Sequence, residues 1–152
     1  MWEWDKGIDF EEMLNKILGH MNKTKKHISK CYDSILLIQL MNGARVSEAI
    51  RAYKEYIKSK STELYVKVSK KKGEDLRLMV IPNNIHICSE FLEIDDKVLR
   101  NRIKGYAYYN YKKLNTHSLR YAFITYLLRR NIDATIIAKI THHANLNHIL
   151  TY

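Results

Sequence analysis

The chain carries a set of side chains that could move a phosphodiester onto a phenol and back. Tyr152 ends the sequence, nine positions after His143 in Thr141-His142-His143, and thirty-two after Arg120 in His117-Ser118-Leu119-Arg120. Arg45 and Arg120 could form a fork on the two non-bridging oxygens of a phosphate, where a permanently charged planar donor stabilises a pentavalent transition state. His117 could orient a phosphate oxygen or assist proton removal, because imidazole titrates near neutrality. A phenol with its ordinary pKa of about 10 is a poor nucleophile in water, and surrounding cations would correct that. Lys70, at the end of a strand, could protonate the leaving 5′ oxygen. Each residue alone has a plainer role: a solvated arginine, a capping histidine, a lysine that keeps a hairpin soluble.

Bulk composition sets the limits. With 152 residues, 46% of them apolar, the chain is long enough for one cored domain and short for two. Its 26 Lys plus Arg against 16 Asp plus Glu give a net charge of +10, which favours a polyanionic partner. Two cysteines, Cys31 and Cys88, make no disulfide framework and suit a reducing interior. Neither a leader nor a membrane span is legible, so the expectation is a soluble, cytoplasmic protein with no membrane partner.

The elements that must position these groups follow from hydrophobic period. Phe10, Met13, Leu14, Ile17 and Leu18 form one helical stripe that Asp9 could cap. After a basic connector over 22–30, residues 32–41 are too continuously apolar for a surface helix and predict a buried one, stopped by Asn42-Gly43. A further helix begins at 44–50, which sets Arg45 at a joint near a helix N-terminus, a good place to hold an anion. From Glu63 the period becomes two: Leu64, Val66 and Val68 alternate with Tyr65, Lys67 and Ser69. Leu76, Leu78 and Val80 then alternate with Arg77, Met79 and Ile81, a hairpin turning over 70–75 before the only proline, Pro82. Residues 85–91 and 95–103 read as short helical pieces. The stretch 104–113 reads as a loop or frayed helix whose lysines, Lys104, Lys112 and Lys113, could meet phosphates while its tyrosines stack, or whose tyrosines simply pack in the core. Asn115-Thr116 could cap a helix with Leu119, Ala122, Phe123, Tyr126 and Leu127 buried. His117 and Arg120 then share its first turn, and a short helix follows over 134–140. The fold class expected is α+β: mainly α with a small antiparallel β-hairpin or three-stranded sheet.

Taken in order, the motifs resemble those of the tyrosine recombinases, the family of phage-type integrases and chromosome-dimer-resolving enzymes. Asn42-Gly43-Ala44-Arg45-Val46-Ser47-Glu48 resembles their first arginine box, and the stretch from His117 to Leu128 their His-x-x-Arg box. The stretch from His143 to Tyr152 resembles their closing box, and Leu64 to Lys70 is similar to the strand that delivers their lysine. The likeness spans about residues 30–152. It implies the catalytic-domain fold of that family and a transesterification without metal or cofactor. Tyr152 would form a 3′-phosphotyrosine; Arg45, Arg120, His117 and His143 would hold the phosphate, and Lys70 would be the acid. The implied partners are double-stranded DNA and further copies of the chain, as a homo-tetramer on two duplexes, with a monomer as the DNA-free alternative.

Several departures from the family pattern are visible. Its N-terminal clamp domain and its C-terminal tail have no room here, so a lone catalytic domain over 1–152 is expected. His142 stands where glycine is usual, which leaves His142 and His143 as alternatives, spacing to Tyr152 favouring His143. The long hairpin lets Lys71 or Lys72 replace Lys70 and contact DNA. Rival readings are a hydrolytic nuclease with a metal on His142, His143 and His148, a non-catalytic DNA-binding module, and a type IB topoisomerase-like enzyme.

Overall fold

A computed structural model of the chain describes residues 8–69 and 75–142. The order of elements is α1 (Phe10–Lys23), α2 (His27–Asn42), α3 (Val46–Ser59), β1 (Glu63–Lys67), β2 (Leu76–Val80), a 3-10 turn (Ser89–Glu93), α4 (Asp96–Asn110), α5 (His117–Arg129) and α6 (Ala134–Thr141). It is a mainly helical architecture, and among the described residues the sheet has two antiparallel strands.

The core is built around α2. Ile35, Leu36, Leu37, Ile38 and Leu40 are all buried, because α1, α3 and α5 all pack against the helix. Each such side chain contributes about 1.5–3 kcal/mol of transfer free energy. The helix starts at His27 rather than at residue 32, so the basic connector shrinks to 24–26. Over residues 27–32 the one fully buried apolar residue is Cys31, which is too little for a periodic signal. α1 is capped as expected, the Asp9 carboxylate accepting from the Glu12 amide at 2.9 Å.

The hairpin pairs Glu63 with Val80 and Lys67 with Leu76. Its inner face carries Leu64, Val66 and Met79, together with Arg77, while Tyr65, Leu76, Leu78 and Val80 face outward. Asn42, the last residue of α2, holds this hairpin in place: its Nδ2 donates to the carbonyls of Ile38 and Val80, and its Oδ1 accepts from the Val80 amide.

One expectation fails: residues 85–91 form no helix beyond the 3-10 turn. Of the alternatives for 104–113, the helical one holds over 104–110, which continues α4. The reason lies in distant partners: buried Asp33 of α2 accepts from the hydroxyls of Tyr106 at 3.0 Å and Tyr111 at 2.6 Å, and its other oxygen meets His20 Nδ1 of α1 at 2.7 Å. Tyr106 and Tyr111 thus pack as core residues that bind α1, α2 and α4 together, and of the tyrosines in this stretch only Tyr108 and Tyr109 are exposed. No helix of the described residues is long and apolar enough to cross a membrane.

Candidate active site

The turn between α2 and α3 is the foundation of the site. Gly43 closes α2 in the left-handed region at φ 58°, and a Cβ there would overlap the Phe123 ring of α5. Only glycine fits both the backbone and the packing. Ala44 is fully buried, and Arg45 then takes an extended conformation as the residue preceding α3. The Arg45 amide donates to Glu48 Oε1 at 3.1 Å, and its Nη1 to Glu48 Oε2, also at 3.1 Å.

Glu48 is fully buried and collects the cations of the region. Besides Arg45 it accepts from Arg77 Nη1 at 3.4 Å and from the Ser69 amide at 3.0 Å. Burial raises its pKa, but the Ser69 and Arg45 amides and the charges of Arg77 and Arg120 outweigh that and hold it below its ordinary value. Arg77, 1% exposed, also donates Nη2 to the Asn42 carbonyl. The Ser69 Oγ is hydrogen-bonded to Ser47 Oγ and accepts from Arg51 Nη1 at 3.0 Å. The chain is therefore anchored beside Arg45 at the residue that immediately precedes Lys70.

Arg120 reaches the same turn from α5. Nη1 donates to the Gly43 carbonyl at 2.7 Å, across 77 residues of sequence, and Nη2 donates to the Thr141 carbonyl at the end of α6 at 2.9 Å. Burial, with Arg45 close by, pushes its pKa down to about 9, so it stays charged at neutral pH at an energetic cost that an anion would offset. His117 stands on the first turn of the same helix, half-buried and edge-on to the Tyr121 ring at 4.9 Å, with its amide donating to Asn115 Oδ1. Asn115 caps this helix, and the Thr116 side chain does not.

Above these groups opens a cleft of about 420 Å³ lined by Arg45, Arg51, Arg100, Lys104 and His117, with the starts of α3 and α5 on its walls and no acidic residue among its lining. Gln39 and Arg100 also line it, and the Gln39 Oε1 and Arg100 Nε are buried without a hydrogen-bond partner. Four permanent cations, an imidazole and two helix N-termini form a site complementary to a phosphate group.

Arg45, His117 and Lys104 thus line one cleft, and Arg120, buried, is bonded to the turn that presents Arg45. Lys112 and Lys113 instead line a separate cavity of about 610 Å³ between α1 and the α4–α5 turn, together with Lys16, Lys23 and His20. Lys70, Lys71, Lys72, His143, His148 and Tyr152 lie outside the described residues. His142 ends α6 at φ 57°, the left-handed conformation for which glycine is favoured, which gives a physical reason for the usual glycine at that position. Sequence reasoning gave no role to Glu48, Arg77, Arg51 or Arg100. The Arg45-x-x-Glu48 spacing, a capping arrangement of a helix start, was the one local signal for Glu48.

No family profile matches the chain. It is 41% identical over 155 residues to ORF241 of Acidianus two-tailed virus, a protein provisionally named an integrase, covering 98% of this chain and 63% of that protein. It is 33% identical to an uncharacterised protein of Methanocaldococcus jannaschii, covering 98% of this chain and 82% of the relative. A Sputnik virophage protein, also provisionally named an integrase, is 30% identical, with 98% and 84% covered. Among solved structures, the XerH site-specific recombinase bound to its difH substrate before cleavage superposes with a TM-score of 0.62 at 19% identity, over 95% of this chain and 49% of that one. Its post-cleavage complex gives 0.61 at 20% identity. The chain spans less than two thirds of the viral integrase and about half of the recombinase. Its arginine boxes, its fold and these relatives agree: the chain belongs to the tyrosine recombinase/integrase family and has the fold of its catalytic domain.

Proposed function

We propose that this chain performs site-specific cutting and rejoining of double-stranded DNA, as the catalytic domain of an integrase or recombinase. The observation that carries the reading is the convergence of Arg45 and Arg120 on the Gly43–Arg45 turn, beneath an acid-free cleft that also presents His117.

In this reading the scissile phosphate occupies the cleft, with its non-bridging oxygens facing Arg45 and Arg120 and His117 and His143 completing the hold. The Tyr152 oxygen attacks phosphorus, its proton passing to an imidazole, for which His117 is the group on the cleft wall. The bond to the 5′ oxygen breaks, and Lys70, or Lys71 or Lys72 beside it in sequence, gives that oxygen its proton. The link formed is a 3′-phosphotyrosine, and a free 5′ hydroxyl reverses the steps on another strand. Bond energy is conserved in the covalent link, so rejoining needs no nucleotide, and guanidiniums rather than a metal ion meet the charge that builds at phosphorus. Arg51, Arg100 and Lys104 meet flanking phosphates, with Lys112 and Lys113 contacting backbone farther from the cut. Copies of the chain assemble as a tetramer on two duplexes, a partner arrangement in keeping with relatives named as integrases and a neighbour solved on its difH substrate.

The experiment is incubation with two distinguishable duplexes, one carrying a nick near the cut. Covalently linked protein and strands exchanged between duplexes are expected. Relaxation of a supercoiled circle without exchange would favour a topoisomerase-like activity, and a hydrolysed strand with a free 3′ end a nuclease.

A further inference from the structure

We infer that His27, Cys31, Cys88 and Glu90 form a binding site for one thiophilic divalent ion of the zinc class, separate from the phosphate cleft. His27 opens α2 and Cys31 follows one turn later, so both side chains lie on one face of the helix. Cys88 immediately precedes the 3-10 turn, and Glu90 lies in its first turn. The Cys88 Sγ is 3.1 Å from His27 Nε2, and the imidazole nitrogen and the two sulfurs all lie within 4.8 Å of one another. Glu90 Oε1 is 3.8 Å from the same nitrogen. A tetrahedral zinc ion with Zn–S of about 2.3 Å and Zn–N of about 2.0 Å separates its ligands by about 3.3–3.8 Å, close to the His27–Cys88 and His27–Glu90 spacings, and the three nitrogen and sulfur donors, within 4.8 Å of one another, close on it by an ångström at most.

The surroundings fit a built site. Both cysteines are fully buried, which fixes the sulfurs, whereas His27 and Glu90 are more than half exposed and leave a path from solvent. The buried Tyr53 hydroxyl accepts from the Cys88 amide at 2.8 Å and donates to the His86 carbonyl at 2.6 Å, so the backbone that presents Cys88 is held from behind. Two thiolates, an imidazole and a carboxylate select zinc over magnesium or calcium, which take oxygen ligands alone. Gln39, the residue of α2 that lines the cleft, stands eight positions after Cys31, about 12 Å along the axis, so the ion does not touch the phosphate pocket. Its work is to tie the start of α2 to the segment between β2 and α4. That role does not depend on the DNA-joining reading, and either can fail without the other.

The test uses the full chain purified under reductant and loaded with zinc or cobalt(II). One equivalent of zinc per chain is expected by elemental mass spectrometry. The cobalt form should show a thiolate-to-cobalt charge-transfer band with intense ligand-field bands of tetrahedral type. Cys31→Ser and Cys88→Ser should abolish both. Because those variants touch the core, the exposed rim gives a second arm: His27→Ala and Glu90→Gln, with wild-type circular dichroism, should weaken cobalt binding by at least about tenfold. The proposal is overturned if the reduced wild-type chain takes up no more metal than Cys31→Ser, if the rim variants bind cobalt with wild-type affinity, or if alkylation-trapped extracts hold Cys31 and Cys88 as a disulfide.

Discussion

Arg120 donates to the carbonyl of Gly43 at 2.7 Å, so the arginine of one box is bonded to the turn that presents the arginine of the other. Its second nitrogen binds the Thr141 carbonyl, two residues before His143. One guanidinium therefore ties the first arginine turn to the end of α6, where the closing box begins. A lysine carries all its donors on one nitrogen and cannot reproduce the two separated contacts of the fork. Arg120→Lys should slow single-turnover adduct formation by about 10²–10³-fold and lower stability by about 1–3 kcal/mol. A rate within a few-fold of wild type in a folded variant would show that the fork is dispensable.

Glu48 offsets the charge of Arg45 and Arg77, and its role has a pH signature. Its folded pKa is lowered below the ordinary 4.5, so the stability it contributes is fully present above that value and is lost as pH falls through the folded value. Glu48→Gln should cost about 2–4 kcal/mol at pH 7. It should also flatten the loss of stability below about pH 4.5, as read by urea denaturation across pH. Equal acid limbs for the two proteins would contradict the assignment.

Gly43→Ala tests the turn itself. The new Cβ meets the Phe123 ring, and φ 58° disfavours any side chain, so a loss of at least about 2 kcal/mol is expected in thermal or urea unfolding. Adding Phe123→Leu should restore the steric part but not the backbone part. Wild-type stability in Gly43→Ala would mean that the turn is formed differently.

DNA affinity should fall steeply with salt, with a slope of about 0.9 per phosphate contacted. Arg51→Gln and Lys104→Gln should each reduce that slope by about one such contact, since both line the cleft. Lys112→Gln and Lys113→Gln should reduce it as well while leaving single-turnover adduct formation unchanged at saturation, because they stand at the other cavity. An unaltered slope in the Arg51 and Lys104 variants would take the duplex off this face.

How much of this was legible in the sequence depended on the range of the interactions. The glycine stop after α2, the position of Arg45 at a helix joint and the pairing of His117 with Arg120 on one turn are local, and spacing alone exposed them. Arg77 was not legible as a core residue. Strand alternation placed Leu76, Leu78 and Val80 opposite Arg77 and Met79, and the structure buries the face that includes the arginine. What makes that affordable is Glu48, 29 residues away, which no local period can reveal. The same holds for α4, whose extension to Asn110 rests on Tyr106, and on Tyr111 just beyond it, finding Asp33 more than 70 residues earlier in the chain. That extension is also what brings Lys104 to the cleft.

The most direct measurement of the central claim is peptide mapping of protein trapped on a nicked suicide duplex, wild type beside Tyr152→Phe. The account predicts one DNA-linked peptide, joined through Tyr152 to a 3′ phosphate, with Tyr152→Phe forming no adduct while binding the duplex as wild type does. An adduct that persists in Tyr152→Phe, or a wild-type product that is a hydrolysed strand with a free 3′ end, would contradict it.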